Sequence, residues 1–311
     1  MHHIISAEQF NTGEIIDLFH QTDEMRKESA ENERELTQRY IGKQVCNLFY
    51  EPSTRTRISF DLASKKLGIG VSSTENASQF SSAIKGETLE DSVKVLDQYG
   101  FDAIIIRHPE TGSAERAVGA VERAAIINAG DGQGEHPTQS LLDLYTIWSK
   151  KQTLDNLNIT IGGDLARGRT AKSLAKLISK FDDSKITFVS TKKFKIDYKT
   201  KNYLDGNNTE YFETSDMNQA LPDADVVYWT RMQKERTVDT YNQNGNDPDF
   251  IIDQNALSLM QEDAIIMHPL PRVNEIDTSV DKDPRAVYFE QAGNGLYIRM
   301  AILDSIIKNQ K

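Results

Sequence analysis

Cysteine is nearly absent from this sequence: Cys46 is the one example among 311 residues. A single thiol cannot close an internal disulfide, so burial and hydrogen bonding must hold the fold. Cys46 lies in the apolar stretch Val45-Cys46-Asn47-Leu48-Phe49 and reads as a buried structural thiol. Long apolar runs are missing too. Pieces such as Ala103-Ile104-Ile105-Ile106 fall far below the roughly 20 residues of a membrane-spanning helix. Nor is there a surplus of positive charge. With 36 Lys and Arg against 47 Asp and Glu the net charge is −11, which argues against nucleic acid or an anionic membrane as partner, since both leave a basic footprint. A small anion in a locally positive pocket stays compatible with that balance.

Further absences narrow the chemistry. Met1-His2-His3-Ile4-Ile5-Ser6 has no basic segment followed by an apolar one, so no secretory signal is expected and a cytoplasmic protein is the default. No His/Cys/Asp/Glu set has metal-ligand spacing, and no Ser-His-Asp arrangement with a nucleophile elbow is present. Gly162-Gly163…Gly168 does not fit G-x-G-x-x-G, which excludes NAD.

The length exceeds one ordinary core of about 100 to 200 residues and suits two. Short β-rich runs alternate with helical spacing. The runs are Val45–Tyr50, Asp102–Arg107, Ala125–Asn128, Asn158–Gly162, Lys185–Ser190, Asp225–Thr230 and Ala264–Met267. Helical sets include Leu141, Leu144, Tyr145, Trp148 and Leu174, Leu177, Ile178, Phe181. The alternation predicts an α/β protein of two doubly wound domains with parallel sheets. The expected division is 1–150, 151–289 and a final helix, 290–311, packing back on the first domain. Tyr241–Pro248 is rich in turn residues and reads as a loop suited to movement.

Cationic or hydrogen-bonding residues follow almost every expected strand. Ser53-Thr54-Arg55-Thr56-Arg57 follows the first, Arg107-His108 the second and His136-Pro137-Thr138-Gln139 the third. Arg167-Gly168-Arg169-Thr170, Thr230-Arg231 and His268-Pro269-Leu270-Pro271-Arg272 come later. Open parallel sheets bind ligands beyond the carboxyl ends of their strands, so an anion site between the domains, for more than one negative group, is expected. Ser53–Arg57 precedes a helix expected to have Ile58, Leu62, Phe60, Ala63 and Leu67 on its buried sides. It suits a phosphate, or else is a plain helix cap. His136 and Gln139 share a helix face, either to meet a carbonyl oxygen or to cap and pack. The prolines of His268–Pro271 leave carbonyl oxygens able to face an NH2 group, or simply stiffen a turn. Lys85, in a small polar loop, reads by composition as a surface lysine.

With these segments in order, the sequence resembles the aspartate/ornithine carbamoyltransferase superfamily from about Asn47 to Leu303. The resemblance rests on Phe49–Arg57, Lys85-Gly86-Glu87-Thr88, Arg107-His108-Pro109, His136–Gln139, Gly163-Asp164-Leu165 with Gly168-Arg169-Thr170, Thr230–Arg236 and His268–Arg272. Pro269 stands where the ornithine enzymes carry cysteine, as in the aspartate branch. The resemblance implies that Ser53, Thr54, Arg55 and Thr56 hold the phosphate of carbamoyl phosphate together with Arg107. Thr56, Arg107 and His136 would polarise its carbonyl. Gln139 and the backbone carbonyls of Leu270 and Pro271 would hold its NH2 group. Arg169 and Arg231 would grip L-aspartate, with Gln233 nearby and Lys85 also at the aspartate side. Ser81 and Lys85 would come from an adjacent subunit of a homotrimer, placing the site at a subunit interface. The implied reaction is direct attack with no covalent enzyme intermediate, no cofactor and no metal. Gln233-Lys234-Glu235-Arg236 and the length resemble chains that join a separate, nucleotide-responsive regulatory chain. The rivals are a carbamoyltransferase for ornithine or another amino acid, and an inactive carbamoyl-phosphate-binding paralogue.

Overall fold

A computed structural model describes residues 3–77, 86–231 and 250–310. The expected site residues Ser81, Lys85 and Gln233, and the loop at 241–248, lie outside these. The described residues form two compact units, residues 1–142 with 293–311, and residues 143–292.

In the first unit the strands are β1 (Gln44–Phe49), β2 (Gly70–Thr74), β3 (Ala103–His108) and β4 (Ala125–Asp131), all parallel in the order β2-β1-β3-β4. The second has β5 (Asn158–Gly162), β6 (Lys185–Val189), β7 (Glu210–Thr214), β8 (Val226–Trp229) and β9 (Ile265–Met267), parallel in the order β7-β6-β5-β8-β9. The helices are α1 (Thr12–Glu31), α2 (Glu33–Leu36), α3 (Thr54–Lys66), α4 (Leu89–Gln98), α5 (Ser113–Val118), α6 (Pro137–Lys151), α7 (Arg169–Ile178), α8 (Tyr198–Gly206), α9 (Met217–Ala220), α10 (Gln254–Leu259) and α11 (Tyr288–Lys308). The expected α/β class with parallel sheets is thus the observed one.

Parallel strands covered on both faces read as unbroken apolar runs, and strands β1, β3 and β4 are buried almost throughout. Their side chains, with Val93 of α4 and Ala117 of α5, form the first unit's core, which also encloses Cys46. Burial pushes the Cys46 thiol up to about 12, in keeping with a structural thiol. In the second unit Trp229, Val227, Ile266, Ile252 and Tyr288 centre the core, and Trp229 donates its indole N–H to the Phe250 carbonyl at 2.9 Å.

Several expectations need correction. Strands β2 and β7 carry no apolar run to announce them: Gly70-Val71-Ser72-Ser73-Thr74 and Glu210-Tyr211-Phe212-Glu213-Thr214 lie at sheet edges and stay partly or wholly exposed, unlike the buried edge strands β4 and β9. Strand β4 runs three residues past Asn128, to Asp131. Phe181 falls beyond α7. Helix α11 begins at Tyr288, because Gly293 and Gly295 imitate a break in a segment that is helical throughout. Ile58 and Leu62 are exposed, at 49% and 42%, while Phe60, Ala63 and Leu67 are buried.

Asp97, near the end of α4, shows how the first sheet is closed. Its buried carboxylate accepts the backbone N–H groups of Glu122 (3.0 Å), Arg123 (3.2 Å) and Ala124 (2.7 Å), tying down the turn that enters β4. Burial alone would raise its pKa, but the three N–H groups outweigh that and hold it below 3.8. Asp97→Ala should lower unfolding stability by about 2–3 kcal/mol, measured by urea denaturation. A depressed carboxylate stabilises above its unfolded pKa and loses that contribution as pH falls through the folded value. Asp97→Asn should therefore lose stability less steeply than the native chain on acidification below about pH 4.

Candidate active site

In each sheet the chain reverses its winding direction at one point, and open α/β sheets bind ligands beyond the strand ends there. In the first unit this switch lies between β1 and β3. The ladder continues one step past β1, where the Tyr50 N–H donates to the Arg107 carbonyl at 2.8 Å. Ser53 follows as the residue that starts α3, in extended backbone with φ −157°. Its hydroxyl makes no capping hydrogen bond, unlike those of Thr88 and Ser6, which accept from Asp91 and Glu8. N–H groups of a first helical turn have no acceptor within the helix and attract anions; here that turn is Thr54-Arg55-Thr56, with Thr56 buried.

Arg57, the second arginine of the segment, is held by Asp61 at 3.2 Å and Glu75 at 3.1 Å. Asp61 also accepts from Asn47 of β1 at 2.6 Å, so this arginine is fastened to the sheet. Arg107, at the end of β3, donates to the Ala129 carbonyl at 3.2 Å and lies 3.5 Å from Glu51. The next residue, His108, meets the Tyr50 ring edge-on at 4.7 Å, and burial keeps its pKa below the ordinary value.

Asp131, the last residue of β4, folds the turn that leads to His136. Its carboxylate accepts from Glu135 N at 2.6 Å and Gly112 N at 2.9 Å. Glu135 in turn accepts from the Ala7 N–H at 2.6 Å and the Ser6 hydroxyl at 2.9 Å. His136 is 3% exposed and stands immediately before Pro137, the first residue of α6, with the Thr138 hydroxyl 3.5 Å from its Nδ1. Gln139 is half-buried one turn into the helix. The sequence reading passed over Asp131 and Glu135, because an acidic pair beside glycines looks like any solvated turn.

In the second unit the switch lies between β5 and β8. The glycine pair that failed the dinucleotide pattern has another use here. A Cβ on Gly163, whose φ is +109°, would lie 2.0 Å from the Thr230 carbonyl oxygen, and one on Gly162 would strike the Trp229 ring. The two strand ends close on each other, and only glycine permits it. Past this closure Arg169 opens α7, buried to 8% exposure, and Arg231 stands two residues past the end of β8. Arg167 is occupied differently: it lies 3.6 Å from the buried Asp164 carboxylate and stacks over Phe194 at 5.5 Å. Past β9, Leu270 has φ +50° and its N–H donates to His268 Nδ1 at 2.8 Å. Arg272 binds Asp281 and Tyr288, so its charge is used within the fold.

Among the described residues no His/Cys/Asp/Glu group could hold a metal ion, and no helix is long and apolar enough to cross a membrane. The structure thus brings Ser53–Thr56 and Arg107 to one switch point, with His136 and Gln139 placed beyond the neighbouring strand β4. It brings Arg169 and Arg231 to the other, beside the His268–Arg272 segment.

Comparison with known proteins decides the family. Residues 2–149 match the aspartate/ornithine carbamoyltransferase carbamoyl-P binding domain, and residues 155–306 match the Asp/Orn binding domain. This chain belongs to the aspartate/ornithine carbamoyltransferase family. It is 47% identical over 308 residues to a chloroplastic aspartate carbamoyltransferase of Arabidopsis thaliana, covering 98% of this chain and 77% of the relative. It is 41% identical to an aspartate carbamoyltransferase catalytic subunit of Finegoldia magna, covering 96% of each. The catalytic subunit of M. jannaschii aspartate transcarbamoylase superposes with a TM-score of 0.88 at 38% identity, covering 99% of both chains. The Trypanosoma cruzi enzyme in complex with N-(phosphonacetyl)-L-aspartic acid gives 0.90 at 36% identity, covering 98% of this chain and 95% of that one. Within the family, the two-unit parallel architecture is shared with these relatives.

The idle Ser53 hydroxyl yields a direct test. Removing a working helix cap costs about 1 kcal/mol. Thr88→Ala should show that loss in thermal unfolding, whereas Ser53→Ala should unfold within a few tenths of the native chain and lose instead the stabilisation conferred by carbamoyl phosphate.

Proposed function

We propose that this chain transfers the carbamoyl group of carbamoyl phosphate to the amine of L-aspartate, giving N-carbamoyl-L-aspartate and phosphate, an early step of de novo pyrimidine biosynthesis. The observation that carries the reading is the placement of Arg169, opening the helix after β5, and Arg231, just past the neighbouring strand β8, at the second switch point. Two fixed guanidiniums suit two carboxylates and oppose a cationic amino acid such as ornithine.

In this reading residues 1–150 with 290–311 bind carbamoyl phosphate and residues 151–289 bind aspartate. Ser53, Thr54, Arg55, Thr56 and Arg107 hold the phosphate. Thr56, Arg107 and His136 donate to the carbonyl oxygen, where charge grows as the amine attacks; such a preorganised donor is worth about 3–4 kcal/mol. Gln139 and the carbonyls of Leu270 and Pro271 accept from the NH2 group. Arg169 and Arg231, with Gln233, fix the aspartate carboxylates so that its unprotonated amine faces the carbamoyl carbon. The tetrahedral intermediate then expels phosphate. Orientation of two bound reactants supplies a large part of the rate.

The proposal extends to a homotrimer in which Ser81 and Lys85 act on an adjacent subunit's substrates. Exposed Ile58 and Leu62 on α3, with Val95 and Tyr99 at the end of α4, provide apolar surface for such contacts. A cytoplasmic location and a separate regulatory chain belong to the same proposal; the Finegoldia magna relative bears the name of a catalytic subunit, whereas the plant relatives are named chloroplastic.

Carbamoyl product formed from carbamoyl phosphate, with L-aspartate and L-ornithine in parallel, tests the reaction. Turnover is expected with aspartate alone and should collapse in Arg231→Ala, chiefly through a raised aspartate KM. Turnover with ornithine would overturn the substrate, and binding without turnover would overturn the reaction. For the shared site, Lys85→Ala and Arg55→Ala chains, each inactive alone, should regain activity when mixed, with one intact site in each mixed trimer. Silence in verified mixed trimers would refute it.

A further inference from the structure

The buried His268 takes no direct part in the proposed reaction, yet it is hydrogen-bonded on both ring nitrogens. Its Nδ1 accepts the Leu270 N–H at 2.8 Å, and its Nε2 lies 2.8 Å from the Glu275 carboxylate. A ring nitrogen that accepts a backbone N–H carries no proton, so the proton sits on Nε2 and is donated to Glu275. Glu275 is fixed as the acceptor by the Val273 N–H at 3.2 Å and the Asn274 N–H at 3.1 Å. Burial would raise its pKa, but the His268 bond and the backbone N–H groups of Glu275 itself and Val273 hold it below the ordinary value.

The brace extends away from the loop. The His268 N–H donates to Gln291 Oε1 at 2.9 Å, and Gln291 Nε2 donates to Asp143 Oδ1 at 2.6 Å. The Tyr228 hydroxyl closes the chain onto Asp143 Oδ2 at 2.8 Å. All five side chains are buried, with exposures of 8% or less. Desolvated networks of this kind are stiff when satisfied. What they stiffen is Leu270, whose φ of +50° a leucine adopts rarely and keeps only when its surroundings impose it.

We propose that His268, in its Nε2–H tautomer set by Glu275, is a positioning residue that holds Leu270 so that the Leu270 and Pro271 carbonyls are aimed at the carbamoyl NH2 group. The inference rests on the proposed function, which gives those carbonyls their ligand. It goes beyond that reading by assigning their alignment to an imidazole that does not touch substrate.

The test compares His268→Phe, which keeps a ring but removes the acceptor, with His268→Asn. An Asn side-chain oxygen can accept the N–H two residues on, as in an Asx-turn. In chains whose native fold is verified, His268→Phe should lower kcat about ten- to hundred-fold, the scale of a misplaced contact, with the aspartate KM nearly unchanged. His268→Asn should recover most of that loss. Nitrogen-15 spectra of the native enzyme labelled at histidine, assigned with the His268→Asn spectrum, should show an unprotonated Nδ1 and a protonated Nε2. A folded His268→Phe enzyme with native kcat, or a protonated Nδ1, overturns the inference while native turnover with aspartate leaves the reaction intact. If His268→Phe does not fold, the Asn variant and the spectra decide: native-like kcat in His268→Asn with the expected tautomer supports the proposal, and a kcat loss of hundred-fold or more in folded His268→Asn overturns it. Absence of turnover in the native chain is a failure of the function itself.

Discussion

Parallel pairing governs the rest of this structure. Every strand pairing in both described sheets is parallel, so within each sheet all carboxyl ends lie at one edge. Whatever follows a strand must emerge there. Arg107 lies next to the end of β3, Arg231 follows β8, and Ser53–Thr56 and Arg169 open the helices after β1 and β5. A chain of net charge −11 thereby collects positive groups at two edges, and clustered charge of one sign raises the local concentration of an opposite ligand. The winding reversal then selects the place along each edge, because adjacent connections diverge to opposite faces there and leave a crevice.

That logic explains which parts of the fold were readable. Ile104-Ile105-Ile106 and Ile126-Ile127 announce buried strands because both faces meet helices, and the apolar pattern is the physical requirement itself. The edge strands β2 and β7 have one unpaired side and partly exposed residues, so Ser72-Ser73-Thr74 and Glu210–Thr214 carry no such demand. Ile58 and Leu62 mislead in the opposite direction: they are apolar at helical spacing, yet Phe60, Ala63 and Leu67 alone meet the isolated unit's core. Sequence pattern records that a residue is apolar and not which surface covers it. The cations beyond the strand ends were legible as motifs, and the roles proposed for them rest on resemblance; Ser81, Lys85 and Gln233 fall outside the described residues.

The arginines show how structure refines a motif. Arg55 and Arg57, or Arg167 and Arg169, are interchangeable by composition. In the structure Arg57 is held between Asp61 and Glu75, and Arg167 between Asp164 and Phe194. Arg272, within another motif, is taken up by Asp281 and Tyr288. An ion pair of this kind fastens a turn, and a guanidinium so engaged would have to break it to meet a substrate carboxylate. In each segment the ion-paired arginine stiffens the backbone that carries its neighbour, Arg55 or Arg169, to which the proposed function gives a substrate role.

Backbone groups set the opposite problem. The N–H groups of the α3 opening turn and the carbonyls of Leu270 and Pro271 are chemically the same at every residue, so composition and spacing alone leave them open between a ligand contact and a plain cap or turn. Their direction is decided by side chains that touch the backbone and leave a readable trace. Asp131 folds the approach to His136 through two N–H bonds, and His268 holds Leu270 through one. A buried acidic or imidazole side chain bonded to the backbone beside a site is therefore informative even when it lies out of reach of any substrate. It marks where the chain spends polar burial, which is costly unless satisfied, on the aim of a peptide group.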